Sequence, residues 1–193
     1  MLISVILPTH NPDPLRLART LEGLRTQTLP RTQWELLLVD NASTPALRPP
    51  NASLTATPND RIVVEPVLGL SAARRRGLGE ARGCFLVFVD DDNVLDPDYL
   101  EKVADIFGRA PQLGMAGGIS VPEFESPPAE WQREFFSLLA LRNLGPESQT
   151  AAAPARGTGQ PLRYPICAPI GAGMALRREA AETWLQSSAT SPF

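Results

Sequence analysis

Short apolar runs alternate with segments of helical pattern along the chain, and this alternation restricts the possible folds more than any other feature. Strands are predicted at residues 3–7, 35–39, 62–65, 85–89, 113–121 and 170–176. Helices are predicted at residues 14–24, 72–82, 97–107, 129–141 and 178–185. Strands separated by helices indicate an α/β domain with a largely parallel central sheet.

Turn and cap residues mark where these elements begin and end. Asp13 and Pro14 are typical of a helix start, and Ser71 is predicted to cap a second helix that Gly83 ends. Residues 44–60 and 147–161 are rich in proline and small or polar residues, so both are predicted to be loops.

Composition fits an ordinary globular protein and excludes several classes. The 193 residues suit one domain, and the 43% apolar and 20% charged residues exclude wholesale disorder. The formal net charge of −3 argues against a nucleic-acid binder that relies on a basic surface. The two cysteines, Cys84 and Cys167, cannot form a disulfide framework and suit a reducing compartment.

The sequence gives no signal for secretion or for a membrane span. No apolar run approaches the roughly 20 residues that cross a bilayer, and no basic segment precedes the apolar N-terminal run. We therefore expect a cytoplasmic protein, and peripheral contact with the cytoplasmic face of a membrane stays open.

Three consecutive carboxylates, Asp90, Asp91 and Asp92, follow the apolar run 85–89 directly. In open α/β sheets, ligands bind beyond the carboxyl ends of the strands. Carboxylates this close repel one another unless a cation neutralises them, and oxygen ligands suit Mg²⁺ or Mn²⁺ bridged to substrate phosphates. In an extended chain Asp90 and Asp92 face one side and Asp91 points away. A solvated turn is the alternative interpretation.

Two other motif interpretations apply to the same aspartates. A calcium loop of the EF-hand type fails, because Leu95 stands where that loop needs glycine. The spacing of Asp90, Asp92 and Val94 also matches the nucleophile loop of haloacid-dehalogenase-like phosphatases, in which the motif normally lies on the first strand. A Mg²⁺-dependent phosphatase that uses Asp90 therefore stays an alternative.

Asp40 and the arginines 74–76 are further candidates for ligand contacts. Asp40 ends the second predicted strand, where a carboxylate can accept from a nucleobase imide or a ribose hydroxyl. Arg74 lies near the start of a predicted helix, whose backbone N–H groups and dipole favour anions such as a diphosphate. A turn residue and a solvated charge run are the plainer interpretations.

Taken together, five segments resemble the family-two glycosyltransferases in sequence, order and spacing: residues 4–11 (SVILPTHN), 38–43 (LVDNAS), 69–74 (GLSAAR), 88–92 (FVDDD) and 171–178 (GAGMALRR). The resemblance implies a GT-A fold of Rossmann-like type, a nucleotide-diphospho-sugar donor, Mn²⁺ or Mg²⁺, and transfer with inversion to a glycan, lipid-linked or other hydroxyl acceptor. It also implies one domain over residues 1–193. Residues 1–121 would bind the nucleotide-sugar, and residues 122–193 would form an incomplete acceptor-side part.

The resemblance assigns roles to single residues. Pro8, Thr9 and Asn11 would line the nucleotide pocket, Asp40 would contact the base, and Arg74 would lie near the base or diphosphate. The Asp-x-Asp motif would place Asp90 near the ribose or metal and Asp92 on the metal, with Asp91 counted among the donor-binding residues.

On the acceptor side, the same resemblance implies that Gly171, Ala172 and Gly173 form backbone close to the donor sugar and acceptor. Trp131 could stack on an acceptor sugar. Packing of its apolar stripe in the core is the preferred interpretation.

The sequence departs from the family pattern at three places. Arg75 stands where the family usually has Asn. His10 stands where an aromatic residue is common, and we expect it to form part of the pocket wall. The family places an acidic pair beyond the helix that follows Gly173, and neither Glu179 nor Glu182 matches it. The catalytic base is therefore expected outside this chain, and a nucleotide-sugar-binding module without turnover is the alternative function.

Overall fold

A computed structural model describes residues 1–47, 57–139, 141–152 and 164–189 and shows a six-stranded sheet. The strands are β1 (Ile3–Thr9), β2 (Trp34–Asn41), β3 (Arg61–Glu65), β4 (Phe85–Phe88), β5 (Met115–Ala116) and β6 (Ala175–Arg177). Their order is β3-β2-β1-β4-β6-β5. The first four strands run parallel, whereas β6 is antiparallel to both β4 and β5. The predicted α/β class with a largely parallel sheet is confirmed.

In the described ranges, four helices cover the sheet: α1 (Pro14–Arg25), α2 (Leu70–Glu80), α3 (Tyr99–Arg109) and α4 (Arg178–Ala189). Asp13 caps α1 as predicted, by accepting from the N–H groups of Leu15 and Arg16. Ser71 does not cap α2, because it lies inside the helix and Gly69 occupies the cap position at φ 140°. Among the helices of the described ranges, none is long and apolar enough to cross a bilayer.

Three predicted elements are shorter or different in the structure. The strand predicted at 113–121 shrinks to Met115–Ala116 and a single bridge from Ser120 to Arg142. The strand predicted at 170–176 is reduced to Ala175–Arg177, because glycines before it bend the chain. The predicted helix 129–141 is instead a run of 3₁₀ turns at Glu130–Leu138 that buries no residue, and an amphipathic helix gains most of its stability from packing.

Two predicted loops and the end of the chain fall partly outside the described residues. Residues 48–56 of the loop predicted at 44–60, residues 153–161 of the loop predicted at 147–161, and residues 190–193 are not described.

The hydrophobic core consists of two apolar layers, one on each face of the sheet. Val5 and Leu7 of β1 pack with α1 and α3, whereas Ile6 between them packs with α2 and α4. This alternation buries β1 on both faces, as its continuous apolar run predicts. Because β1, β2 and β4 are parallel, their carboxyl ends meet at one edge of the sheet.

A buried polar network closes the opposite edge of the sheet. The hydroxyl of Ser4 donates to Glu35 Oε1 over 2.6 Å, and the Arg82 N–H donates to the same oxygen over 2.8 Å. Arg61 Nη2 lies 3.2 Å from Glu35 Oε2, and Glu35 is 0% exposed. The network ties the turn between α2 and β4 to β1 and β2.

Candidate functional site

The carboxyl edge of the sheet brings together the polar residues that follow β1, β2 and β4. Thr9 at the end of β1 is in register with Asp40 at the end of β2. Thr9 Oγ1 donates a hydrogen bond to the Asp91 carboxylate in the loop after β4. Pro8, one residue earlier, is buried within β1 opposite Val39. Parallel pairing therefore collects residues from sequence positions more than 80 apart at one edge.

Arg74 crosses from α2 to the carboxylate loop. Its Nη2 lies 3.2 Å from Asp90 Oδ1, and its guanidinium carbon lies 5.4 Å from the centroid of the Phe88 ring. A Cβ on Gly171 would overlap the Arg74 guanidinium. Arg74 is thus a direct neighbour of Asp90, which the resemblance assigns with it to the donor, and of Gly171, which the resemblance assigns to the acceptor side.

Asp91 lies against Thr9 at the end of β1, whereas Asp90 lies against Arg74 of α2. The strand β4 ends at Phe88, and the aspartates lie in the turn that follows it. Burial raises the pKa of Asp91, the hydrogen bond from Thr9 lowers it, and the charges of Asp92 and Asp90 raise it again. A cation beside these aspartates would offset the repulsion between their carboxylates.

Asp92 and Asn93 supply the exposed end of the carboxylate loop. Asp92 is exposed, and Asn93 Nδ2 donates to Asp92 Oδ1 over 3.2 Å. Asn93 Oδ1 is buried and has no hydrogen-bond partner among the described residues. The described chain gathers no three His, Cys, Asp or Glu side chains into a metal cluster. Mg²⁺ needs only one or two carboxylates when phosphates and water complete its shell, so it does not require a cluster of three.

A hydrogen-bonded loop pair forms the next part of the edge, beyond β1. Asn11 adopts φ 47°, donates from its N–H to Ser43 Oγ over 2.9 Å, and accepts at Oδ1 from Thr44 N–H over 2.7 Å. His10 Nδ1 lies 2.7 Å from the carbonyl oxygen of Asn41, so that ring nitrogen is the donor. The exposed His10 ring borders this edge.

Asn41 braces the same region, and sequence reasoning gave it no role. Its Nδ2 donates to the carbonyl oxygens of Glu65 and Val67, and its Oδ1 accepts from Gly69 N–H over 2.8 Å. These bonds join β2, the end of β3 and the start of α2. Its position after Asp40 at a strand end is the only signal that could have identified it.

Asp40 is 1% exposed and holds the loop that follows β2. Its Oδ1 accepts from Ser43 N–H over 3.2 Å, and its Oδ2 accepts from Leu47 N–H over 2.9 Å. Both oxygens are therefore engaged by backbone, and only their second lone pairs are available to another donor.

Tyr99, which the helical pattern placed on the apolar side of α3, joins two glycine segments to the site. Its hydroxyl donates to the Gly173 carbonyl, and its ring packs against Gly118. Burial raises the pKa of Tyr99 to about 12, although the Gly118 backbone acts in the other direction. Gly173 N–H donates to Phe88 O over 3.1 Å, so residues 171–173, with Ala172 between the glycines, run beside the end of β4.

Trp131 is not brought into the core or to the carboxylates. Its side chain is 66% exposed and meets Phe135 edge-on at 6.2 Å between ring centroids. The preferred expectation that this apolar stripe packs in the core is wrong, because the 3₁₀ turns that carry it bury none of their residues. The neighbouring segment is joined to α1 by exposed ion pairs, Arg16 with Glu125 at 2.9 Å and Arg19 with Glu123 at 2.5 Å.

Comparison with protein families and curated proteins gives consistent matches. The family model described as Glycosyl transferase family 2 matches residues 4–185. The chain is 32% identical over 114 residues to glycosyltransferase AglE of Haloferax volcanii, covering 58% of this chain and 37% of that protein. It is 33% identical over 119 residues to the validoxylamine A glucosyltransferase of Streptomyces hygroscopicus subsp. limoneus, covering 60% and 26% respectively.

A longer match, 32% identity over 155 residues, is to the uncharacterized protein MT1568 of Mycobacterium tuberculosis, covering 75% of this chain and 46% of that protein. The chain spans less than half the length of each of these three relatives.

Solved structures share the fold. TarS 1–349 of S. aureus gives a TM-score of 0.53 at 24% identity and covers 64% of this chain and 39% of its own. The mannosyltransferase PcManGT of Pyrobaculum calidifontis, solved with GDP-Man and Mn²⁺, gives 0.53 at 23% identity and covers 72% and 38%. The likeness confirms the predicted GT-A fold.

Proposed function

The chain belongs to glycosyl transferase family 2, and from that premise we propose that it binds a nucleotide-diphospho-sugar for transfer of the sugar, with inversion, to a hydroxyl acceptor. One observation carries the proposal: Arg74, Asp90 and Gly171, from three distant parts of the chain, meet at the carboxyl end of β4. Ligands of open α/β sheets bind at such an edge. The positively charged Arg74 suits the phosphate oxygens of a diphosphate, and the negatively charged Asp90 beside it suits the metal ion.

In this proposal the diphosphate lies beside Arg74 and the carboxylate loop. Asp90 and Asp92 would hold Mn²⁺ or Mg²⁺, which stabilises the negative charge that builds on the departing nucleoside diphosphate. Arg74 would exchange part of its bond with Asp90 for the phosphate oxygens. Asp91, bonded to Thr9, would fix the loop against β1.

The nucleoside would lie over the ends of β1 and β2. Pro8, Thr9 and Asn11 would line it, and His10 would form the wall of the pocket. Asp40 would act chiefly by holding residues 43–47 around the base, since both of its oxygens already accept backbone N–H groups. Any direct contact of Asp40 with the base would use a remaining lone pair.

Transfer also needs a base for the acceptor. The acceptor oxygen forms a bond to the anomeric carbon, the bond from that carbon to the diphosphate oxygen breaks, and the acceptor proton passes to a carboxylate within hydrogen-bond reach. Glu182 in α4 pairs with Arg178 of the same helix at 4.0 Å. We assign the base to no residue of this chain, so donor binding without turnover is the second candidate function.

The phosphatase alternative has less support. Its nucleophile would be Asp90, yet that carboxylate is paired with Arg74, and the strand before it is the fourth among the described strands. It predicts phosphate release from small phosphomonoesters with no preference for nucleotides. The family match favours glycosyl transfer.

Calorimetry with UDP and GDP, each with and without Mn²⁺, tests the proposal. We expect saturable binding of at least one nucleotide that strengthens when Mn²⁺ is present. Absence of binding for both nucleotides with Mn²⁺ would contradict it. Release of UDP from UDP-glucose, or of GDP from GDP-mannose, in the presence of hydroxyl acceptors then separates the transferase from the binding module.

A further inference from the structure

Tyr99 lies between the carboxylate loop and the two glycine segments. It is the first residue of α3, which follows the loop that contains Asp90–Asp92. Its hydroxyl donates to the Gly173 carbonyl, and its ring packs against Gly118. One side chain thus contacts the segment after β5 and the segment before β6, beside the loop after β4.

The close fit around the Tyr99 ring explains why positions 118 and 173 are glycines. A Cβ on Gly118 would lie 3.0 Å from the Tyr99 ring, and one on Gly173 would lie 3.2 Å from its hydroxyl oxygen. Gly173 also adopts φ 72°, a conformation that residues with a side chain rarely adopt. Both segments therefore approach Tyr99 as closely as backbone allows.

The Gly173 segment in turn borders the diphosphate end of the site. Gly173 N–H donates to Phe88 O over 3.1 Å, and Phe88 N–H donates to Met174 O over 2.8 Å. Gly171 lies directly against the Arg74 guanidinium. The position of residues 171–173 relative to Asp90 is consequently fixed from two sides, by β4 and by Tyr99.

The strand order decides which part of a donor would meet this segment. β2 and β1 lie on one side of β4, and β6 lies on the other. With the nucleoside over β1 and β2 and the diphosphate beside Asp90, the sugar continues toward β6 and residues 171–173. Asn11 and Asn41, on the nucleoside side, make none of their hydrogen bonds to Tyr99.

We propose that Tyr99 is a positioning residue for the sugar of the donor, which it serves by holding the 171–173 backbone at a fixed place beside the carboxylate loop. The inference rests on the proposed function and adds to it a residue and a subsite. It predicts that the sugar's share of the binding energy depends on the Tyr99 hydroxyl, whereas the nucleotide's share does not.

Tyr99→Phe tests this, with Tyr164→Phe as a matched control because Tyr164 is the other tyrosine and is 81% exposed. Calorimetry in Mn²⁺ compares UDP with UDP-glucose, and GDP with GDP-mannose. We expect Tyr99→Phe to bind the nucleoside diphosphate within twofold of the parent and the matching nucleotide-sugar about three- to tenfold more weakly, as loss of one hydrogen bond implies. Tyr164→Phe should change neither.

Equal weakening of both ligands, or no weakening of either, would overturn the proposal even if the variant is less stable. If the parent binds no nucleotide at all, the proposed function fails first, which is a different result.

Hydrogen exchange on the parent protein gives a second test that needs no variant. The nucleotide-sugar should slow exchange at Gly118 and at residues 171–174 more than the nucleoside diphosphate does. Equal protection by both ligands would contradict the role of Tyr99.

Discussion

The edge of the sheet around β1, β2 and β4 and the segment 119–139 differ in what holds them. At the edge, Thr9, Asp40 and Asn41 are buried and each is hydrogen-bonded to a neighbouring loop. In the segment, Val121 is 73% exposed and Leu138 is 80% exposed. Strand register places Thr9 opposite Asp40 at the edge, whereas the large apolar side chains of the segment are mostly exposed.

This difference shows when an apolar sequence pattern is sufficient to predict that a segment is buried. Apolar side chains drive a segment into a core only when another surface receives them. The segment is attached to α1 by two exposed ion pairs, which contribute little stability. A patch of this kind is typical of a surface that contacts another molecule or another part of a protein.

The largest effect is expected from Glu35→Ala, in the buried network at the opposite edge of the same sheet. Removing this buried carboxylate leaves the Ser4 hydroxyl without its acceptor and takes one acceptor from Arg61 and one from the Arg82 N–H. Because Arg61 still pairs with Glu80 and the Arg82 N–H still donates to Ser4 Oγ, the free energy of unfolding should fall by about 3 kcal/mol. Urea denaturation measures it. Glu22→Ala, which breaks an exposed pair with Arg25, is the control and should cost less than about 1 kcal/mol. Equal costs would show that the network does not hold the sheet edge.

The next effect concerns the carboxylate loop. Asp92→Ala should weaken Mn²⁺-dependent nucleotide binding at least ~100-fold. Losing a residue that binds the metal directly should reduce affinity at least as much as losing a residue that only orients such a ligand. Calorimetry with UDP or GDP, with and without Mn²⁺, measures the change. Asp105→Ala, an aspartate on α3 paired with Arg109, should bind like the parent. Unchanged affinity in Asp92→Ala would remove Asp92 from the site.

A smaller, pH-dependent effect is expected at Asp91. Its pKa in the folded chain is raised above the ordinary 3.8, so the folded state keeps a proton to higher pH than the unfolded state, and stability falls as pH rises through that window. Asp91→Asn, which still accepts from Thr9, should therefore be more stable than the parent at pH 7, by less than about 1 kcal/mol since the group is partly solvated. Urea denaturation at pH 7 and pH 3 checks this, and the gain should vanish at pH 3. If Asp91→Asn were less stable than the parent at pH 7, the prediction that the ionised Asp91 carboxylate destabilises the folded state would be wrong.

The smallest effect is expected from Trp131→Ala in the exposed segment. Its free energy of unfolding should change by no more than about 0.5 kcal/mol. Trp34→Ala is the matched control, because Trp34 is 3% exposed and should cost about 3–5 kcal/mol. Both are measured by urea denaturation. A cost above about 2 kcal/mol for Trp131 would mean that the segment packs in solution and that the two regions are alike.

Much of the sheet, and which polar residues follow its strands, were predictable for reasons that particular residues illustrate. The runs that became β1 and β4 are continuously apolar, and Pro14 after Asp13 marks the start of α1. The elements that failed depend on distant partners. Residues 113–121 and 170–176 became short strands at the far side of the sheet, and residues 130–138 became 3₁₀ turns.

The site shows the same division. The resemblance of motifs assigned Asp90 and Arg74 to the donor and Gly171 to the acceptor side, and in the structure Arg74 contacts both of the others. Asn41 and Tyr99 were missed, since a hydrogen bond to a backbone carbonyl leaves no mark on the sequence that makes it.

By itself, the sequence determined which segments are apolar enough to be buried and which polar residues follow them, because both are properties of neighbouring residues. The tertiary structure alone decided that β6 inserts antiparallel between β4 and β5, that Asp91 faces Thr9, and that Trp131 stays exposed. These outcomes depend on contacts between residues far apart in the chain, and such contacts are set by strand register and by the free energy of the whole packed domain.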